Sequence, residues 1–338
     1  MAVAILPFLR IGGMRLFATE SSEWTEKAVP RTSRLARGLV LSYLILTTSC
    51  IGVYWLLGMD LFNALNHALT TVSTGGYSTS DSSMGQFDQL SILFASTVFM
   101  MLGGVPFFLF VRFLNGQIEP LFRDQQVHFF LKVLLGSAIL IALYRLLNED
   151  VAPLDAFVHA LFNVTSVVTT TGYASQDYAL WGPFVVVAFF FLTFVGGCSG
   201  STSGGMKIFR FQLSMLLLRE QVLRLLHPNA VIARRYNGRI ISDEIVASSV
   251  AFSFIFLATL VAVAALLAFL GLDPITSLTG AATALANVGP GLGNIIGPAG
   301  NFQPLPDAAK WVLMAAMLLG RLELLSVFIM FSPHFWRS

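Results

Sequence analysis

Long stretches of this chain carry no charged side chain, and short polar phrases punctuate them at matching places. Residues 39–57, 91–111, 178–206 and 245–272 lack Asp, Glu, Lys and Arg throughout. Residues 133–144 form a further apolar centre between Lys132 and Arg145, whose stems can lie along it while their charges reach an interface. Residues 310–330 are apolar except for Lys310, Arg321 and Glu323. About 20 apolar residues suffice for one helix to cross a bilayer. The chain is 56% hydrophobic and 11% charged, whereas a soluble domain carries about 25% charged residues. Such a chain is solvated by lipid. Its net charge of +2 gives no footprint for nucleic acid.

The phrases are short and rich in hydroxyls and glycine. Thr165-Ser166-Val167-Val168-Thr169-Thr170-Thr171-Gly172-Tyr173 is the fullest; Thr71-Val72-Ser73-Thr74-Gly75-Gly76-Tyr77 precedes it and Ala286-Asn287-Val288-Gly289-Pro290 follows. With Gly76, Gly172 and Gly289 equivalent, the repeat spacing is 96 and then 117 residues. Each phrase lies between two apolar segments, so each unit reads as helix, re-entrant loop, helix.

Charge orients the chain. The connections holding the phrases, residues 58–90, 148–181 and 272–309, contain no Lys or Arg but nine acids: Asp60, Asp81, Asp88, Glu149, Asp150, Asp155, Asp177, Asp273 and Asp307. The 20 basic residues fall mostly in the other connections, densest over residues 207–244. By the positive-inside rule the basic connections are cytoplasmic and the phrases enter from outside. The acids can also be read as a vestibule that concentrates cations.

Irregular backbone at membrane depth persists only where protein buries it or a watery cavity borders it. Short helices over residues 61–73, 156–168 and 275–286 would aim their carbonyl ends, each carrying about half a negative charge, at the membrane centre. Backbone oxygens after them could replace an ion's water shell. Thr74, Thr170, Thr171 and Asn287 are small and neutral, and would not trap the ion. Any one phrase alone is better read as an ordinary outer turn. Three at equivalent places, each on the acidic side, favour the linings of one ion path.

At this point the residues resemble a known family. The phrases around Gly76 and Gly172, the run 196–210, His227-Pro228-Asn229-Ala230, residues 287–293 and Gly320-Arg321-Leu322-Glu323 are similar to the TrkH-type bacterial potassium uptake subunit of the TrkH/KtrB/HKT superfamily. The resemblance covers nearly the whole chain. It implies an all-α transmembrane fold of repeated helix–pore-loop–helix units around a central ion pore, multi-pass in the bacterial inner membrane. It implies that Thr74, Gly75 and Gly76, then Thr170, Thr171 and Gly172, then Asn287, Val288 and Gly289 line a potassium filter. It makes Gly196-Gly197-Cys198-Ser199-Gly200-Ser201-Thr202-Ser203-Gly204-Gly205 an intramembrane gating loop and Arg321 a positive barrier in the pore. Potassium is then the transported ion, with glycine at the filter positions favouring it over sodium. The implied assembly is a homodimer with a cytosolic TrkA-like nucleotide-binding ring, any nucleotide sitting on that partner. Symport belongs to the same set of expectations, with its coupling ion unspecified. No covalent cofactor is implied.

Residues 1–38, including Leu9-Arg10-Ile11-Gly12-Gly13-Met14, resemble only the end of a first repeat and its cytoplasmic connection. The expected divisions are therefore 1–38, then 39–127, 128–244 and 245–338, without a first pore loop. A non-conducting accessory subunit that keeps the scaffold is the alternative reading.

The remaining candidates are weaker. Gly200 and Gly205 have phosphate-loop spacing, but Met206 stands where Lys is needed. The same run has no Gly-x-Ser-x-Gly elbow, and no paired acid and base supports an intramembrane enzyme. The loop could instead be a face of close helix packing, and Arg321 could pair with an acid or with loop carbonyls. His67 and His159 fall in the first two pore helices, where a hydrogen bond to a neighbour is the expected role. Cys50 and Cys198 lie in apolar surroundings and suggest no disulfide. The basic stretch around His227 is a docking surface for a cytosolic partner or a loop lying on lipid.

Overall fold

The computed structural model describes residues 32–87, 89–228 and 233–322. The expectations for residues 1–31, Asp88, Asn229, Ala230 and Glu323 fall outside them. In chain order the elements are α1 (Thr32–Leu56), α2 (Leu61–Val72), α3 (Leu90–Gly103), α4 (Phe107–Leu114), α5 (Glu119–Arg123), α6 (Gln125–Asn148), α7 (Pro153–Val168), α8 (Pro183–Val195), α9 (Ile208–Leu226), β1 (Arg235–Tyr236), β2 (Arg239–Ile240), α10 (Asp243–Phe269), α11 (Pro274–Ala286) and α12 (Asp307–Arg321). Among the described residues the regular structure is helical apart from the β1–β2 hairpin, an antiparallel pair in which Tyr236 opposes Arg239.

One pattern occurs three times. A long apolar helix, α1, α6 or α10, is followed within a few residues by a short helix, α2, α7 or α11, which packs back against it. The long helices have 25, 24 and 27 residues. At about 1.5 Å per residue each exceeds the roughly 30 Å of a hydrocarbon core. The short helices α7 and α11 are buried over nearly their whole length. A third helix follows each: α3, α8 and α12, of 14, 13 and 15 residues.

The sequence predicts interruptions in residues 91–111 and 178–206, and both are present. Helix α3 ends at Gly103, and α4 leaves at 91° to it after Gly104, Val105 and Pro106. Helix α8 ends at Val195, where Gly196 turns the chain at a φ of 71°. Both helices stop at about 20 Å, short of a full crossing, so their ends lie at depth and need partners.

The apolar core divides accordingly. One cluster joins Cys50, Tyr54, Val72, Met100, Phe110 and Tyr173; a second joins Phe130, Leu134, Val167, Tyr178, Phe189 and Cys198; a third joins Phe252, Phe256, Leu285, Leu313 and Ala316. Cys50 and Cys198 are buried free thiols in different clusters. On the basic side, Arg234 bridges Glu220 of α9 and Asp243 at the start of α10. This bridge pulls the Glu220 carboxyl below its usual range.

Four of the acids that read as a vestibule have local structural roles. Asp60 caps α2 by accepting from the Asn63 amide at 3.1 Å, and Asp273 caps α11 by accepting from the Thr276 amide at 3.0 Å. Asp177 accepts from the Ala179 amide, and Glu149 pairs with Arg145. Hydrogen bonds from Thr276 hold the Asp273 carboxyl below the usual carboxylate range. The cap is therefore complete above about pH 4 and is lost as pH falls through the lowered value. Asp273→Ala should lower stability in detergent by about 1 kcal/mol, while Asp273→Asn retains most of it; thermal unfolding of the three proteins measures this.

Candidate functional site

The three short helices end alike. After each, one residue takes a left-handed conformation: Thr74 at φ 51°, Thr170 at 56° and Asn287 at 58°. Two residues later a glycine does so again: Gly76 at 65°, Gly172 at 84° and Gly289 at 115°. A non-glycine residue at positive φ is uncommon, so three at one repeat position reflect a shared geometry rather than chance.

Hydrogen bonding explains that geometry. The amides turn back to the helix that precedes them. Gly75 and Gly76 both donate to the Thr70 carbonyl, at 2.7 and 3.3 Å, and Thr171 and Gly172 both donate to the Ser166 carbonyl, at 2.8 and 3.2 Å. Val288 donates to the Thr283 carbonyl at 3.0 Å, and Gly289 to the Thr283 hydroxyl at 2.9 Å. No hydrogen bond found among the described residues uses the carbonyls of Thr74, Gly75, Gly76, Thr170, Thr171, Gly172, Asn287, Val288 or Gly289. Thr74, Thr170, Thr171 and Val288 are buried, and buried backbone groups are almost always paired, so their oxygens stand apart.

The segments lie edge to edge. A Cβ at Gly76 would run into the Thr171 carbonyl oxygen, and one at Gly172 into the Val288 carbonyl oxygen. Here glycine supplies both the backbone angle and the space. The side chains of the left-handed residues reach elsewhere: the Thr74 hydroxyl bonds the Ser73 carbonyl at 2.8 Å and the Thr202 hydroxyl at 3.2 Å. The Thr170 hydroxyl accepts from the Gly204 amide at 2.6 Å, and Asn287 Nδ2 donates to the Met317 carbonyl at 3.2 Å.

The run 196–205 is non-helical, as its composition predicts, and it meets the ends of all three short helices. The Thr202 hydroxyl lies 3.2 Å from the Val72 carbonyl and 3.0 Å from the Gly103 carbonyl. The Gly205 amide donates to the Ala286 carbonyl at 2.9 Å. Its far side is tied to the bend between α3 and α4: Cys198 and Thr202 donate to Gly104 and Gly103, and Phe107 donates to Gly200. Gly196, Gly197 and Gly204 each abut other parts of the loop or Ala286 too closely for a Cβ, and Ser201 Oγ bonds the Cys198 carbonyl at 2.6 Å. The Ser199 amide donates to Gln126 Oε1 at 2.7 Å. Arg321, at the end of α12, donates from Nη1 to the Thr202 carbonyl at 3.3 Å. That contact is the loop-carbonyl pairing weighed for Arg321. Gly320 lets α12 come this close, because a Cβ there would run into the Leu285 carbonyl.

A family model described as a cation transport protein, TrkH, matches residues 1–338. The chain belongs to the TrkH family. It is 52% identical over 339 residues to the Trk system potassium uptake protein TrkI of Halomonas elongata, with all of this chain and 69% of that protein covered. It is 38% identical over 347 residues to the Trk system potassium uptake protein TrkH of Vibrio parahaemolyticus, covering 100% and 70%. The crystal structure of the potassium transporter TrkH from Vibrio parahaemolyticus matches with a TM-score of 0.86 at 34% identity, over 99% of this chain and 69% of that one. This is a helical integral membrane protein of a cation transport family, and not an enzyme family.

One further residue recurs with the phrases. Six positions before each phrase glycine stands a hydroxyl: Thr70, Ser166 and Thr283. Each is the residue that anchors its phrase's amides. The signal was present at the same 96 and 117 spacing as the glycines, but hydroxyls are common in this chain and the pattern is visible only beside the fold. The histidines bind as hydrogen-bonding groups, though not between helices. His67 Nε2 lies 3.0 Å from Ser78 Oγ and His159 Nδ1 lies 2.8 Å from Ser175 Oγ, each fixing the strand that leaves its own phrase. Among the described residues no group of three or more His, Cys, Asp or Glu is placed to hold a metal.

In Gly204→Ala the new Cβ would lie 2.5 Å from the Ala286 carbonyl oxygen, so the loop must move. Cys198, a fully buried residue of the same loop, should react with a maleimide about tenfold faster, as expected for ~1.4 kcal/mol of lost local stability. Buried Cys50 serves as the internal control in the same labelling experiment.

Proposed function

We propose that this chain is the ion-translocating subunit of a bacterial inner-membrane potassium uptake system, passing potassium inward through a filter of backbone carbonyls. The observation that carries the reading is the threefold recurrence of unpaired carbonyls at the ends of three re-entrant helices. Thr74, Gly75 and Gly76, Thr170, Thr171 and Gly172, and Asn287, Val288 and Gly289 would replace the water shell of the ion. The helix ends behind them add a negative potential without fixed charge. Binding by dipoles is strong enough to admit a cation and weak enough to release it. The names of the TrkI and TrkH relatives support potassium as the ion.

The units are residues 39–127, 128–244 and 245–338, preceded by a connecting segment 1–38. The loop 196–205 acts as the gate. It hangs from the carbonyl ends of α2 and α11 and from Thr170, so its release would open the space under the filter. Arg321 stands at the gate as a positive charge that raises the barrier to a cation. Opening is set from the cytosolic side by a TrkA-like nucleotide-binding ring on a homodimer, and uptake runs as symport. One structural route supports such control. Asn237 at the hairpin tip exchanges hydrogen bonds with Asp124 and Gln125, and neighbouring Gln126 holds the Ser199 amide of the loop. A partner that shifts the hairpin would therefore pull on the gate.

One observation favours the accessory-subunit reading. A Cβ at Gly289 would meet nothing closer than the Gly172 Cα at 4.0 Å. No described residue closes against this phrase as Thr171 closes against Gly76. The test is rubidium uptake and potassium-limited growth in a bacterium without its own uptake systems, with this chain beside a form extended upstream by a first repeat. Rescue by either form supports transport; rescue by neither, despite normal membrane insertion, supports the accessory role.

In the form that rescues, Gly172→Asp should abolish potassium-selective uptake, because its side chain meets the Val288 carbonyl and places a fixed charge on the path. Arg321→Ala should raise uptake under conditions that keep the parent closed, by about tenfold for each ~1.4 kcal/mol removed from the barrier. Unchanged flux in both variants at normal membrane levels would sink the assignment.

A further inference from the structure

Behind the first two phrases lies a buried network of hydroxyls that the transport reading does not use. Tyr77 and Tyr173 both follow a phrase glycine, 96 residues apart. Their fates differ: the Tyr77 side chain is 75% exposed and Tyr173 is fully buried. The Tyr173 ring crosses from its own phrase into the other. Its hydroxyl lies 2.6 Å from the Thr70 hydroxyl and 3.4 Å from the Thr71 hydroxyl, and 3.2 Å from the His67 carbonyl. Thr71 in turn lies 2.9 Å from the hydroxyl of Tyr54 on α1, which reaches Ser96 of α3 at 2.9 Å.

Thr70 is where this network meets the first phrase. Its carbonyl accepts the Gly75 and Gly76 amides, and its hydroxyl lies 2.8 Å from the Tyr77 carbonyl. A hydroxyl has one proton. When Thr70 gives its proton to the Tyr77 carbonyl, Tyr173 can donate to the Thr70 oxygen. The second phrase is held alike within itself, since the Ser166 hydroxyl donates to the Tyr173 carbonyl at 2.7 Å. The third phrase differs: Pro290 takes the place of the tyrosine, and the Thr283 hydroxyl accepts from Gly289 instead. Among the described phrases, the cross-link between hydroxyls thus joins the first to the second.

We propose that Tyr173 and Thr70 are positioning residues for ion selectivity: their hydroxyl contact fixes the spacing of the first two phrases and keeps the carbonyls from closing on a smaller cation. The proposal rests on the reading of the phrases as a filter. Neither side chain touches the ion. Sub-ångström placement of binding groups depends on such supporting hydrogen bonds. Removing the Tyr173 hydroxyl leaves Thr70 bonded only within its own segment, and removing the Thr70 hydroxyl leaves Tyr173 only its longer contacts to Thr71 and the His67 carbonyl; in each case the hold between the segments weakens.

The experiment is rubidium uptake with sodium as competitor, in the form of the protein that sustains uptake. Tyr173→Phe should keep rubidium uptake but lower the sodium concentration that halves it by roughly tenfold, the effect of losing about one hydrogen bond between the segments. Thr70→Val should do the same, and Thr70→Ser, which restores the hydroxyl, should return sodium resistance. Tyr77→Phe should leave the sodium response of the parent. A merely structural role would lower the amount of protein in the membrane and the total rate without changing the ratio of the two ions. If Tyr173→Phe does not accumulate, the Thr70→Val and Thr70→Ser pair decides. Parental sodium sensitivity in Tyr173→Phe and Thr70→Val overturns the proposal. With Gly172→Asp losing selective uptake in the same assay, that result leaves the filter reading standing. Selective uptake surviving in Gly172→Asp removes both.

Discussion

A helix that stops inside a bilayer leaves carbonyls that water cannot reach, and most of this structure follows from how those carbonyls are treated. Helices α2, α7 and α11 end at the phrases, and α3 and α8 break at depth. Some of the exposed oxygens are paired: Val72, Gly103, Gly104 and Ala286 accept from Thr202, Cys198 or Gly205. Those of the nine phrase residues are not. The division is between a layer that is tied up by the loop 196–205 and a layer above it whose carbonyls stay available. An unpaired polar group in an apolar setting costs several kcal/mol, and the alternation of left-handed residues holds the chain in the arrangement that leaves these groups unused.

The loop reaches that layer because half of its residues are glycine and the rest are small. Gly196, Gly204 and Gly205 let backbone lie against backbone, Gly197 makes room for the Ser203 side chain, and Gly320 lets α12 approach the end of α11. Close backbone approach is what makes Thr202 a shared point for Val72, Gly103 and Arg321. A loop built so is held by several modest hydrogen bonds rather than by one strong pair. It can therefore be released by a displacement of any of the helices that hold it. The connection through Gln126 to the hairpin is one such handle.

The acids show how two physical causes produce one composition. Exclusion of Lys and Arg from the phrase-bearing connections is the pattern of the positive-inside rule. The presence of Asp60, Asp177 and Asp273 follows from helix starts that need an acceptor. Any concentrating effect on cations comes on top of these local roles.

The apolar stretches and the three phrases are legible in the amino-acid order, because each depends on the composition of one contiguous stretch. Hydropathy is summed over about 20 neighbours, and left-handed turns need glycine at one position. Thus the ends of α2, α7 and α11 were readable to within a few residues, and the non-helical loop was readable from its glycines. Tertiary structure alone decided which side chains meet. Arg321 and Thr202 are 119 residues apart, Tyr173 and Thr70 are 103 apart, and Gly204 and Thr170 are 34 apart. Tyr77 and Tyr173 are alike in sequence, yet one is exposed and the other buried. Their difference lies in what the neighbouring unit places beside them, and a hydrogen bond acts over about 3 Å, a distance that sequence order does not encode.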